Sequence, residues 1–183
     1  MFDNLFIHLG PFHIMMAYFK VLGKVIIDCG LPNVMVQSNL LAMGFLNGCL
    51  EGKHLNRCKR LHPLMALGLE ILHFKSFLEM KHTEFTYLMV QEFTRLGTCP
   101  ISSFKIENEE LNELLNDYNI YKQQTRNGEL GKTAQFYLIY INLVHYYLIL
   151  SRSIRIGDFE MFRFILPKIT NLFFICNQQN YAR

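Results

Sequence analysis

Thr133-Ala-Gln-Phe-Tyr-Leu-Ile-Tyr-Ile-Asn-Leu-Val-His-Tyr-Tyr-Leu-Ile-Leu-Ser151 is a run of 19 residues without a charge. It contains no Gly or Pro, and its apolar residues fit a helix that continues from about Lys132 to Arg155. Nineteen residues nearly reach the length of about 20 that a membrane span needs. Gln135, Asn142 and His145 lie within the run, however, and each would need a polar partner in hydrocarbon. Its four tyrosines are spread through the middle instead of gathering at two interfaces. The segment is therefore expected to be a core helix surrounded by others, and a single span over 133–151 is the less favoured reading.

The flanking sequence extends this pattern. Phe12, Met15, Met16, Phe19 and Ile26 recur at helical spacing after Gly10-Pro11, and Gly30 is expected to end that helix. Cys29 to Leu50 carries no charge and is interrupted by Gly and Pro, which predicts a buried turn region with short helical pieces. Leu64, Leu67, Ile71, Phe74 and Leu78 step by three and four as the apolar stripe of the next helix, with Pro63 in its first turn or at a kink. Thr83 to Leu96 reads as a helix closed by Gly97, Pro100 and Ser102-Ser103. Leu111, Leu114, Leu115 and Tyr118 form the face of another, which starts near the acids Glu107, Glu109 and Glu110 and stops at Asn127-Gly128. Asp158 is the expected N-cap of a last helix through Phe159, Phe162, Ile165, Leu166 and Ile169, kinked at Pro167. No alternating stretch is long enough to predict a sheet. The expected fold is all-α, with about six or seven helices packed around the hydrophobic helix at 132–155.

The 183 residues suffice for one ordinary domain, and 51% of them are hydrophobic against 18% charged. This excludes a disordered tail, a collagen-like repeat and a charge-rich coiled coil. A net charge of +3 is too mild to announce a nucleic-acid partner by itself. The five cysteines are odd in number and lack a CxxC pair, which argues against a disulfide scaffold. No basic residue precedes Lys20, so a secretory signal is not expected. An intracellular location, the nucleus included, is the expectation.

Few residue clusters point to chemistry. His54, Cys58 and His62 fall at i, i+4 and i+8, but three successive helical turns span about 12 Å, too far to share one ion. Only a pair of the three could share a metal, and a fourth ligand would have to come from elsewhere in the chain, for which Cys49 and His8 are the candidates, so no metal is assigned. Cys99 has no neighbouring histidine to activate it, and no nucleophile elbow, P-loop or dinucleotide fingerprint is present. No catalytic residue and no cofactor are assigned. The densest basic patch is Lys53, Arg57, Lys59 and Arg60. Lys53, Arg57 and Arg60 at i, i+4 and i+7 would share a helix face able to meet phosphates. The plainer alternative is a solvated helix face, and no aromatic residue is interleaved in the patch to stack bases.

Three blocks carry a family resemblance: His8-Leu-Gly-Pro-Phe-His-Ile-Met-Met-Ala-Tyr-Phe-Lys20, Glu51-Gly-Lys-His-Leu-Asn-Arg-Cys-Lys-Arg-Leu-His62 and Gly131-Lys-Thr-Ala-Gln-Phe-Tyr-Leu-Ile-Tyr140. With Arg155-Ile-Gly-Asp-Phe-Glu160 and the closing Asn180-Tyr-Ala-Arg183, the chain resembles transposase-like proteins carried by mobile elements through animal and fungal genomes. The resemblance implies a ribonuclease H-type metal nuclease core in full-length members. It also implies that this chain is an internal fragment, either a single helical domain over 1–183 or an incomplete part of a larger one. Two-metal chemistry needs converging carboxylates, and neither Asp3 nor Asp28 has an acidic partner in sequence, so the chain is expected to be inactive alone. The expected role is ancestral DNA handling through Lys53, Arg57, Lys59 and Arg60. The alternative is a helical protein-interaction module with no nucleic-acid role. A protein partner would cover the apolar surface that a fragment exposes.

Overall fold

A computed structural model describes residues 10–99, 103 and 105–177. The first four helices are α1 (Pro11–Ile26), α2 (Leu31–Gln37), α3 (Met43–Leu50) and α4 (Leu55–Lys81). They are followed by α5 (Tyr87–Thr98), α6 (Glu109–Asn127), α7 (Lys132–Ile156) and α8 (Phe159–Ile175). There is no strand among the described residues, so the all-α expectation holds. Eight helices are present among the described residues where six or seven were expected, because the uncharged stretch after Cys29 yields two full short helices, α2 and α3.

Local chemistry sets most of the boundaries. Pro11 occupies the first turn of α1, where its missing N–H costs nothing. Side chains of Thr86, Asn108 and Asp158 accept the backbone N–H of Met89, Leu111 and Met161 at 3.3, 2.7 and 2.9 Å, capping α5, α6 and α8. Gly128 closes α6 in the left-handed conformation at φ 80°. Gly30 does not end the first helix, which stops at Ile26. At φ 83° it instead opens α2. Pro63 lies inside α4 and not in its first turn, so the Lys59 carbonyl loses its helical donor. α5 continues through Gly97 to Thr98, while Pro100 and Ser102 lie outside the described residues.

The expected apolar stripe of α4 is only partly a buried face. Leu64, Leu67 and Ile71 are 50%, 55% and 58% exposed, whereas Leu55, Cys58, Leu61, His62, Met65, Ala66 and Phe77 are buried. α4 is apolar on more than one side, and helical spacing identifies a stripe without saying what meets it. Similar departures occur at Phe12 and Phe159, both exposed, beside the buried Met15, Phe19, Ile165 and Ile169.

The chain divides into two compact units, Met1–Leu67 with Tyr140–Arg183, and Gly68–Ile139. In the first, α1 packs on α3 and α8. Phe19 lies between the His62 ring, stacked at 5.4 Å, and the Tyr147 ring at 4.6 Å. The Tyr18 hydroxyl donates to the Leu143 carbonyl at 2.7 Å, and His62 Nδ1 bonds the Tyr140 hydroxyl at 2.8 Å. Buried polar atoms thus find partners, as a low-dielectric interior demands. α7 buries Tyr140, Val144, Tyr147 and Leu150. No helix among the described residues is long and apolar enough to cross a membrane.

The second unit closes around Phe77, Met89, Leu96, Leu111, Leu114 and Tyr118. His73 bridges its helices. Thr125 donates its one hydroxyl proton to the Tyr121 carbonyl at 2.9 Å, so its oxygen accepts from His73 Nε2–H at 2.8 Å. Nδ1 is then the acceptor for the Tyr118 hydroxyl at 3.0 Å. Glu92 receives a two-pronged bond from Arg95 at 2.7 and 2.8 Å and the Glu107 N–H at 2.6 Å, which hold its carboxyl down at about 2. The carboxylate therefore anchors the segment leading into α6. Glu92→Gln is expected to speed hydrogen exchange at the Glu107 amide several-fold, with the α7 amides as the unchanged reference.

Candidate nucleic-acid interface

The four basic residues do not share one helix face. Lys53 lies in the turn between α3 and α4, where it pairs with Glu51, so the expected i, i+4, i+7 face loses its first member. The reason is local: Gly52 takes φ 71°, its Cα hydrogens facing the Met16 carbonyl, and α4 begins only after His54, whose carbonyl accepts the first N–H bonds. Arg57, Lys59 and Arg60 do lie in the first turns of α4, with Lys59 half-buried and Arg57 and Arg60 exposed.

Arg57 is held by an aromatic residue that its own stretch of sequence does not contain. Its guanidinium carbon sits 3.5 Å from the centroid of the Phe45 ring, and His54 meets the same ring edge-on at 5.6 Å. Phe45 comes from α3, twelve residues earlier, which is why an interleaved aromatic was invisible in the patch itself. The His54 ring also packs where a side chain at Gly48 would stand, with ring atoms 2.4 Å from that position. Arg57 and Arg60 line a pocket of about 290 Å³ with Leu40, Leu41, Ala42, Phe45, Leu61 and Leu64. Neither arginine has a carboxylate within ion-pair distance among the described residues.

The histidines and cysteines considered as ligands are engaged separately. Cys58 Sγ donates to the Cys49 carbonyl at 3.5 Å, and burial pushes its thiol up to about 12. His62 bonds Tyr140, His54 packs on Phe45, and His8 lies outside the described residues. No group of three His, Cys, Asp or Glu positioned to hold a metal occurs among the described residues.

The division into units exposes a charge pattern that a whole-chain sum conceals. Met1–Leu67 with Tyr140–Arg183 carries eleven Lys and Arg against five Asp and Glu, a net +6. Gly68–Ile139 carries seven against ten, a net −3. These account for the +3 of the whole chain. In the acidic unit four of the seven cations are in ion pairs: Lys75 with Glu79, Lys81 with Asp117, Arg95 with Glu92, and Lys122 with Glu70.

The basic unit also holds Arg152 and Arg155 near the end of α7. Both are exposed, and they line a second pocket of about 480 Å³ with Leu148, Ser151 and Ile156. Neither has a carboxylate partner among the described residues. Sequence reading passed over this pair because the two residues close an apolar helix. Their i, i+3 spacing was the available signal.

A family model matches residues 1–183, the full length of the sequence, and its description is Domain of unknown function (DUF8702). The chain belongs to the DUF8702 family. No curated protein and no solved structure matches it. Membership in DUF8702 brings no activity with it.

Proposed function

We propose that the chain is a non-catalytic helical binding module, of mobile-element descent, whose basic unit contacts nucleic-acid phosphates through Arg57, Lys59 and Arg60, with Lys53 at the margin. The observation that carries this reading is the charge partition. A unit of net +6 in which the exposed Arg57, Arg60, Arg152 and Arg155 have no carboxylate partner among the described residues presents uncompensated charge to solvent, as phosphate binding requires. The Phe45 ring backs the Arg57 guanidinium and leaves its N–H edge free for a phosphate oxygen. The descent rests on the three sequence blocks alone.

The test is duplex-DNA binding by the purified chain across a salt series. Four phosphate contacts give an affinity that falls roughly 100-fold between 50 and 200 mM salt. Arg57→Glu/Arg60→Glu is expected to weaken binding at every salt concentration and to flatten the slope by about two. A chain with a native circular dichroism spectrum that binds no DNA at 50 mM salt would sink the proposal.

A protein-interaction role is the second reading, and a specific observation favours it. Leu64 and Leu67 on α4, and Phe164 and Phe174 on α8, are half or more exposed within the basic unit. Exposed apolar side chains of this kind mark a protein contact surface where they join into one patch. Under this reading DNA binding is absent, and charge reversal at Arg57 and Arg60 leaves association unchanged.

A further inference from the structure

The pocket between α3 and α4 has a chemistry that phosphate contact does not use. Its walls are Leu41, Phe45, Leu61 and Leu64, and its polar groups are the two guanidiniums of Arg57 and Arg60 at the rim. Polymeric phosphate would meet the rim and leave the apolar walls wet. Leu64 is 50% exposed and Phe45 38%, so these walls are open to an incoming ligand, whereas Leu41 and Leu61 form a buried floor.

The arginines stand one helical turn apart, which places their Cβ atoms about 5–6 Å from each other. One two-oxygen anion can therefore take a hydrogen bond from each. Arg57 is also fixed in place, since stacking on Phe45 at 3.5 Å restricts its rotamers before any ligand arrives. Uncompensated cations beside an apolar wall call for an occupant that is anionic at one end and apolar along the rest. A void of about 290 Å³ is at the small end of ligand sites, too small for a large cofactor.

We propose that this α3–α4 pocket is a binding site for a free medium-chain carboxylate, its head group held by Arg57 and Arg60 and its chain laid on Leu41, Leu61 and Leu64. Charge complementarity selects the head, and the apolar walls select the tail. Each methylene that leaves water adds to affinity, so chain length matters as much as charge. The site and the DNA-contact reading share their two arginines, but the carboxylate site does not depend on that reading.

The experiment is calorimetric titration of the full chain with decanoate, decanamide and acetate, with folding checked by circular dichroism. Decanoate is expected to bind at least tenfold more tightly than either of the other two. Arg57→Gln/Arg60→Gln removes the preference for decanoate over decanamide, while Leu64→Gln lowers the preference over acetate and leaves the head-group effect in place. Leu64 is exposed, so its variant reports on the tail without disturbing the floor. Equal binding of decanoate and decanamide, equal binding of decanoate and acetate, or no binding of decanoate by the folded chain would each overturn the proposal. The two readings separate cleanly. Failure to bind duplex DNA beside tight decanoate binding removes the nucleic-acid role alone, and the reverse pattern removes this one.

Discussion

Gly23→Ala is expected to destabilise the basic unit by about 3 kcal/mol or more, seen as a clear fall in the denaturation midpoint. On helix chemistry alone the sign would be opposite, because Gly in a helix interior costs about 1 kcal/mol relative to Ala. The neighbour decides. A Cβ at Gly23 would lie 1.9 Å from the Leu50 carbonyl oxygen and 2.6 Å from its carbon, where α1 crosses the end of α3. These are backbone atoms, so no side chain can swing aside, and the two helices would have to separate. Gly68→Ala in α4 supplies the control. Nothing lies within 4 Å of its would-be Cβ, so this substitution is expected to stabilise by about 0.5–1 kcal/mol. If Gly23→Ala matched Gly68→Ala in sign, the close crossing of α1 and α3 would be wrong.

Gly23 also marks the boundary between what the sequence makes legible and what it does not. Helix ends were readable wherever a cap is a local matter: Pro11, Gly128 and Asp158 do in the fold what their residue types predict. Each acts on backbone groups within three or four positions, so no distant partner is needed to interpret it. The buried side of α4 was not readable. Leu64, Leu67 and Ile71 satisfy helical periodicity as well as Leu61 and Met65 do, and only the neighbours determine which row is covered. The candidate site shows the same split. Arg57 and Arg60 share a helix as their spacing indicates, but the Phe45 contact comes from another helix. Lys53 was misplaced because a glycine turn starts α4 two residues beyond it.

Charge patterning was legible only as alternation along the chain. The basic stretch near Arg57 and the one after Arg152 are about a hundred residues apart, yet both belong to the same unit. The acidic stretch between them falls in the other unit. A net +3 therefore understates the field that a polyanion would meet, since the basic unit alone carries twice that charge. The chain places its ion pairs mostly in the acidic unit, and in the basic one Arg57, Arg60, Arg152 and Arg155 have no carboxylate partner among the described residues. This distribution suits a binding role for those arginines better than a stabilising one, because exposed ion pairs contribute little to stability.

The second large effect concerns acid. His62 is buried against Phe19 and Tyr140, and burial alone pushes its imidazole down to about 4. In the unfolded chain the same group titrates near 6.5. Above that value both states hold a neutral ring, and the stability of the His62 contacts is fully present. As pH falls from about 6.5 toward 4, the unfolded chain takes up a proton that the folded chain refuses, so stability is lost. Each pH unit in this window costs about 1.4 kcal/mol for one group, or about 3 kcal/mol by pH 4. His73, pushed the same way by burial and by Lys122, adds to the slope without being its main source. Denaturant melts at half-unit pH steps should show stability flat from pH 8 to 7 and falling steadily below 6.5. His62→Gln lowers the plateau, since the Phe19 stack is lost, but its curve is expected to fall less steeply between pH 6.5 and 4 by about one proton. A wild-type curve that stays level down to pH 4, or a variant that falls as steeply, would mean that the buried ring accepts a proton as readily as the unfolded chain does.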